Sequence, residues 1–316
     1  MHMMFTRRRR TGRVAVCAAA ALALAACGGP TEEPPRPTPT RTTPAPEPPP
    51  PPPPDPATAV KIDNVRQARP QTGLSLADIV YVEPVEYGLT RLLAVYSTEV
   101  PDAIGPVRSA RITDIEILAQ FGEPVFAYSG AAPHVLDALN EAPIISATEA
   151  GARGAFYREP SRGAPHNLYL RPAQLPPPGQ APEAPVMVTG PGPEDGAPAA
   201  EYRAQYETAT YDFTWSEENQ QWMISVDGAL METTDAGQAS TPNVVIQEVD
   251  VRIEAAGSPV AATVGEGAVT VLRDGLRHEG RWTRPSPSEP TRYVSYEGEE
   301  LPVGEGAVWV LLVPAQ

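Results

Sequence analysis

Between Pro30 and Pro56, 15 of 27 residues are proline, including the unbroken run Pro48 to Pro54. Each proline fixes φ and removes a backbone donor, so this stretch can join neither a helix nor a core. It favours polyproline II, a semi-rigid spacer rising about 3.1 Å per residue, or roughly 80 Å over its length. A ligand for a proline-recognising partner is the sharper alternative to a plain spacer. Folding is therefore confined to what lies beyond it. The 260 residues from Ala57 to Gln316 are enough for one large or two small domains with proper cores.

The residues before the spacer read in three zones. Arg7 to Arg10 and Arg13 are cationic, and Val14 to Ala26 is a continuous apolar run. The small residues Leu24-Ala25-Ala26 then precede Cys27. Thirteen apolar residues are too few to cross a bilayer, which takes roughly 20. The order of the zones matches a secretory signal, and the residues before Cys27 match a lipobox. The expected organisation is a signal peptide over 1–26 and a lipid-anchored linker over 27–57. A diacylglycerol in thioether linkage to Cys27, carrying palmitate-type chains, would supply two acyl chains, the condition for stable anchoring at the outer face of a cell membrane.

Cysteine and charge narrow the functional classes. Cys17 leaves with the signal and Cys27 carries lipid, so the exported part has no thiol for a disulfide, a nucleophile or a thiolate metal site. Loss of five arginines and no acid takes the net charge from −15 to −20. That acidity argues against nucleic acid as a partner. Lys61 is the only lysine.

A second proline-rich break, Leu175 to Pro185, suggests a mixed α/β domain over 58–180 and a β-rich domain over 186–316, an α+β fold overall. Residues 79–83, 91–96 and 125–128 read as buried strands. Gly105-Pro106 opens an apparent helix from Val107 to Phe121, and Pro133 begins a second to about Asn140. Beyond the break, Tyr211-x-Phe213-x-Trp215 and Trp222-x-Ile224-x-Val226 alternate as the arms of a β-hairpin, with Val244 to Gln247 as a further strand. The hexapeptide Val-Gly-Glu-Gly-Ala-Val occurs at 264–269 and 303–308, each copy expected as a turn that launches a strand. It lacks the lysine and following helix of a phosphate loop.

The candidate site gathers in the first half. On the expected helix, Arg108 and Arg111 share one face of the first turn. Arginine there opposes the positive helix end, so something negative should join them. That could be a bound carboxylate or phosphate, or an internal partner such as Glu83, Glu86 or Asp114. A second cluster, Phe156-Tyr157-Arg158 and Arg162 to Tyr169, reads as a surface loop. It offers Arg158, Arg162, His166 and Asn167, with His166 a possible acid or base near neutral pH. His134 suits packing or capping, and His278 is isolated among turns. No close His/Asp/Glu spacing supports a metal, and no Gly-x-Ser-x-Gly elbow gives Ser109 or Ser129 an acyl-transfer role. Neither a metal nor a cofactor is expected.

Three motifs together resemble the YerB-like lipoproteins. They are Glu83-Pro-Val-Glu86-Tyr-Gly88-x-Thr90-Arg91, Ile104-Gly-Pro-Val-Arg-Ser-Ala-Arg111, and Phe156-Tyr-Arg with Pro165-His-Asn-Leu-Tyr169. Asn243 to Gln247, Asp274-Gly275, Gly280-x-Trp282 and Gly304-x-Gly306-x-x-Trp309 extend the likeness from about Val60 to Pro314. Ser129 to Pro133 departs from the Gly-Gly-Ser of that family. The resemblance implies a two-part exported domain without an established activity. The favoured expectation is a non-enzymatic envelope protein that binds an anionic ligand or partner through Glu86, Arg91, Arg108, Arg111, Asp114, Arg158, Arg162, His166 and Asn167. Its ligand would be an envelope glycopolymer, a phosphorylated compound or a protein. The alternatives are an enzyme acting on phosphate-containing cell-wall or lipid-linked intermediates, and a scaffold using strand edges of the second half.

Overall fold

The computed structural model describes residues 54–254 and 257–315. The expected signal peptide, Cys27 and nearly all of the linker lie outside them. Counting strands of three residues or more, the first half contains β1 (Thr58–Asp63), β2 (Ile79–Pro84), β3 (Thr90–Tyr96), α1 (Ile112–Leu118), β4 (Val125–Ala127), α2 (Pro133–Glu141), β5 (Ile145–Ala147), β6 (Phe156–Arg158) and β7 (Leu168–Leu170). The second half adds β8 (Glu201–Gln205), β9 (Thr210–Ser216), β10 (Gln221–Val226), β11 (Asn243–Val249), β12 (Val251–Ile253), β13 (Pro259–Ala261), β14 (Gly265–Arg273), β15 (Leu276–Arg284), β16 (Arg292–Ser295) and β17 (Val308–Pro314). Few helices and many strands in mixed sheets make this an α+β fold.

One large sheet runs in the order β16-β15-β14-β11-β17-β2-β3-β1-β4-β5. Strands of both halves meet in its middle, where β2 pairs in parallel with β17, Val80 opposite Trp309 and Val82 opposite Leu311. β17 in turn pairs in parallel with β11. Strands flanked on both sides are covered on both faces, which explains why Val308 to Leu312 reads as a continuous apolar run.

Side-chain alternation sorts the sheet into two faces. Val60, Ile62, Val80, Val82, Leu92 and Ala94 turn to one side. There they pack with Tyr211, Phe213, Trp222 and Ile224 of a smaller sheet built on β8, β9 and β10. Ala59, Ile79, Tyr81, Leu93 and Val95 turn to the other side, against Ile117 and Leu118 of α1 and Val135 and Leu139 of α2. The expected aromatic hairpin is present, with Phe213 opposite Ile224 and Trp215 opposite Trp222. Residues 61, 63, 83 and 91 share the parity of the helix-facing set, and they are Lys61, Asp63, Glu83 and Arg91. A charged row therefore closes the helix-covered face at this end of the sheet.

The first expected helix is shorter than its pattern. It begins at Ile112, five residues later than Val107, because the segment before it pairs with strands instead. Asp63 N donates to Pro106 O at 2.9 Å, Arg108 N to Lys61 O at 2.8 Å, and Val107 N to Leu168 O at 2.7 Å. These extended pairings continue the edge of β1 beyond β4, and tertiary pairing overrides the local helical spacing. The second helix, Pro133 to Glu141, agrees with expectation.

Two smaller differences have similar causes. The segment expected as a surface loop contains the β6–β7 hairpin, with Tyr157 opposite Tyr169, and its loop spans 159–167. The two hexapeptide copies also diverge. Gly265 to Gly267 of the first already lie in β14, whereas the second precedes β17, as expected of a turn.

Candidate functional site

The register of β1, β3 and β2 places Asp63, Arg91 and Glu83 side by side, Asp63 opposite Arg91 and Arg91 opposite Glu83. α1 lies over this row. It is clamped there by the second half, for the Glu116 carboxylate accepts from Thr263 N at 2.6 Å and Val264 N at 3.0 Å. Buried Arg284 donates to the Glu116 carbonyl at 2.6 Å. This brings Asp114, near the helix start, down onto β1 and β2.

Between α1 and the sheet at this row lies a dry ion cluster. Lys61 Nζ stands 2.8 Å from Glu83 Oε1 and 2.7 Å from Asp114 Oδ1, all three side chains essentially without solvent exposure. One ammonium faces two carboxyl groups. Burial, then the adjacent Asp114 carboxylate, push Glu83 well above the usual carboxylate range, against the opposing pull of Lys61. Asp114 also accepts the Arg111 backbone N–H at 2.6 Å through Oδ2. The first turn of α1 is thus capped from within, and the two arginines do not share the helical turn expected for them. Arg111 is the N-cap and Arg108 lies before it in extended chain.

Above the row opens a cleft of about 390 Å³ whose charged lining is Asp63, Glu86, Arg91, Arg108 and Arg111. Each arginine has a different commitment. Arg111 grips Glu86 through Nε at 2.9 Å and Nη2 at 2.5 Å, and its Nη1 donates to the Ala110 carbonyl at 2.9 Å. Partial burial opposes ionisation of Glu86, but the bonds from Arg111 and Ser258 outweigh it and hold the carboxyl at about 2. Arg108 meets buried Asp63 through Nε alone, at 2.9 Å. Its two terminal nitrogens have no hydrogen-bond partner among the described residues. Arg91 makes no ion pair among the described residues, and its one bond runs from Nη1 to the Ser109 carbonyl at 3.0 Å. Burial and the neighbouring guanidinium groups of Arg111 and Arg108 pull Arg91 down to about 10. Three cations face two carboxylates in this cleft, so it carries surplus positive charge inside an acidic chain.

The remaining sequence candidates are dispersed around this centre. His166 Nδ1 lies 2.7 Å from the same Asp63 Oδ2 that holds Arg108, so β7's preceding loop is tied to β1. Arg162 donates to the carbonyls of Ala68 and Pro70, and its guanidinium lies 5.9 Å from the Tyr169 ring centroid. Arg158 pairs with Asn167 at 3.2 Å and Glu149 at 2.8 Å on an exposed surface, and neither Arg158 nor Asn167 lines the cleft. His134 Nε2 meets Glu254 at 3.0 Å.

Sequence reasoning missed Asp63, the shared hub of Arg108 and His166. It also missed Tyr87, which stands at the cleft mouth 90% exposed with φ 64°. A bulky residue in the left-handed region costs about 1–2 kcal/mol. Gly88 beside it, φ 69°, is held by Thr208, whose hydroxyl donates to the Gly88 carbonyl at 2.7 Å. The signal for the buried cluster was available in the single lysine, placed in an otherwise apolar strand. A larger hollow of about 470 Å³ lies elsewhere, but Glu123, Glu183 and Glu289 line it without any cation.

Residues 43–182 match the family described as protein of unknown function (DUF3048), N-terminal domain, and residues 201–310 match its C-terminal domain. A curated relative, "Putative lipoprotein YerB" of Bacillus subtilis (strain 168), is 35% identical over 112 residues. That match covers 35% of this chain and 34% of the relative, about a third of its length. The crystal structure of YerB protein from Bacillus subtilis superposes with a TM-score of 0.71 at 23% identity, covering 83% of this chain and 92% of that one. It shares the fold. With both domains matched in order across most of its length, this chain belongs to the DUF3048 family of YerB-like lipoproteins.

Proposed function

We propose that this protein is held by lipid at Cys27 on the outer face of the cell membrane and binds an anionic ligand in the cleft formed by Arg91 and Arg108. The observation that carries the reading is Arg91, a largely buried guanidinium with no carboxylate partner among the described residues, beside a second arginine with a free fork. A largely buried cation that touches no carboxylate gains when something negative arrives. Two guanidinium forks suit a carboxylate or a phosphate. Arg111 is spent on Glu86 and shapes the wall. Soaking crystals with sulfate tests this directly. Density bridging Arg91 and Arg108 supports the reading, and a cleft empty at high sulfate refutes it. For the anchor, replacement of Cys27 should abolish palmitate labelling and release the chain from the membrane.

The second reading is an enzyme acting on phosphate-containing cell-wall or lipid-linked intermediates, and the Asp63–His166 pair favours it. A carboxylate on Nδ1 leaves Nε2 to act as a general base. Hydrolysis of a pyrophosphate-linked lipid that disappears with His166→Ala would support it. Inertness with and without magnesium would count against it.

A further inference from the structure

Two features of the cleft are not explained by binding of a simple anion. Its lining holds two carboxylates, Asp63 and Glu86, which weaken the pull of the three arginines on a small anion. Its mouth displays Tyr87, the most exposed of the large apolar side chains among the described residues, in a conformation its own backbone disfavours.

That conformation is held from several sides. Val85 N donates to Leu89 O at 2.8 Å, closing the turn beneath Tyr87. Thr208 fixes the Gly88 carbonyl, and a Cβ at Gly88 would meet Glu207 Cβ at 2.8 Å. Contacts from the second half therefore lock the turn that presents the ring. A strained, exposed aromatic held in place by its surroundings is the kind of outlier found where a ligand is gripped.

We propose that the cleft binds an anionic sugar, a pyranose carrying a phosphate or carboxylate, with Tyr87 stacking on the ring. This rests on the anion-binding reading above and names its ligand class. The arginines Arg91 and Arg108 take the charge, and the apolar face of the pyranose lies against the exposed tyrosine ring. The hydroxyls of the sugar are donors, and the partly exposed Glu86 carboxylate has lone pairs left to accept from them. A ligand with an anionic group, hydroxyls and a flat apolar face engages the arginines, Glu86 and Tyr87 together, whereas a bare anion uses only the arginines.

The test is calorimetric titration of the full chain in detergent with glucose 1-phosphate, glucuronate, glucose and inorganic phosphate. At least one charged sugar should bind about tenfold more tightly than inorganic phosphate, the scale of one good ring contact. Tyr87→Gly, which relieves the backbone, should erase that advantage and leave phosphate binding unchanged, while Tyr87→Phe should keep it. The stronger of glucose 1-phosphate and glucuronate identifies the charged group. Phosphate binding with no sugar advantage, or an advantage that survives Tyr87→Gly, overturns the proposal and leaves the anion site standing. If neither charged sugar nor phosphate binds, the anion-binding reading falls too, and this one falls with it.

Discussion

The Nζ of Lys61 stands 2.8 Å from Oε1 of Glu83, with both side chains shut off from water. Asp114 completes the cluster from α1, so three ionisable groups far apart in sequence join two strands to the helix that roofs the cleft. Removing the ammonium would leave two carboxyl groups buried without a counter-charge. Lys61→Met should therefore cost about 3–5 kcal/mol of stability, the range for breaking a buried ion pair. Urea unfolding of the two proteins measures it, and a loss under about 1 kcal/mol would mean the cluster does not hold the layers together.

Two carboxyl groups here respond to pH in opposite senses. Glu86 sits at about 2 in the folded chain, below its unfolded value. Its contribution is present above the unfolded pKa, near 4.3, and is lost as pH falls through the folded one. Glu83 is raised instead, so the folded chain holds a proton that the unfolded chain releases. Its ionisation erodes stability as pH rises from the unfolded value toward the folded one. Thermal melts from acid to mildly alkaline pH should show Glu86→Gln flattening the acid limb and Glu83→Gln flattening the decline between the ordinary carboxylate value and about pH 8. Unchanged limbs in both variants would contradict these assignments.

The turn at Tyr87-Gly88 should be asymmetric to substitution. Gly88→Ala places a Cβ 2.8 Å from Glu207 Cβ and 2.9 Å from Thr208 Cγ2 at positive φ, and should destabilise by about 1–3 kcal/mol. Tyr87→Gly removes strain and should stabilise by about 1 kcal/mol. Equilibrium unfolding of both variants checks the pair, and a destabilising Tyr87→Gly would show that the ring packs after all.

The smaller sheet packs against the large one through Phe213 and Trp222, both without solvent exposure. Phe213→Ala should cost about 3–5 kcal/mol, as transfer and cavity effects combine. Calorimetric unfolding would detect it, and a loss under about 1 kcal/mol would show that the two sheets are not cohesive at this point.

Much of the fold could be read from local pattern. Residues 79–83, 91–96, 211–215, 222–226 and 244–247 are strands because their alternating or continuous apolar runs outweigh anything their neighbours impose. The region 107–111 misled because helical spacing in Val107 and Ala110 coincides with extended backbone bonds to Lys61, Asp63 and Leu168. Those partners come from distant sequence and leave no local trace. For the site, Glu86, Arg91, Arg108 and Arg111 were visible as charges in a specific motif. Asp63 was not, since a single acid ending an apolar strand looks like any strand terminus. Its importance depends on register, which sets it opposite Arg91 and next to Arg108 and His166. Tyr87 was hidden for the same reason, because exposure and a left-handed turn belong to the folded chain.

The most direct measurement is calorimetric titration of the full chain with inorganic phosphate, repeated with Arg91→Gln, Arg108→Gln and, as a control, Arg158→Gln. The account predicts saturable binding that weakens with salt, falls about tenfold or more in either cleft variant, and is untouched in the control. Binding that survives both cleft substitutions, or that follows Arg158 instead, would contradict it.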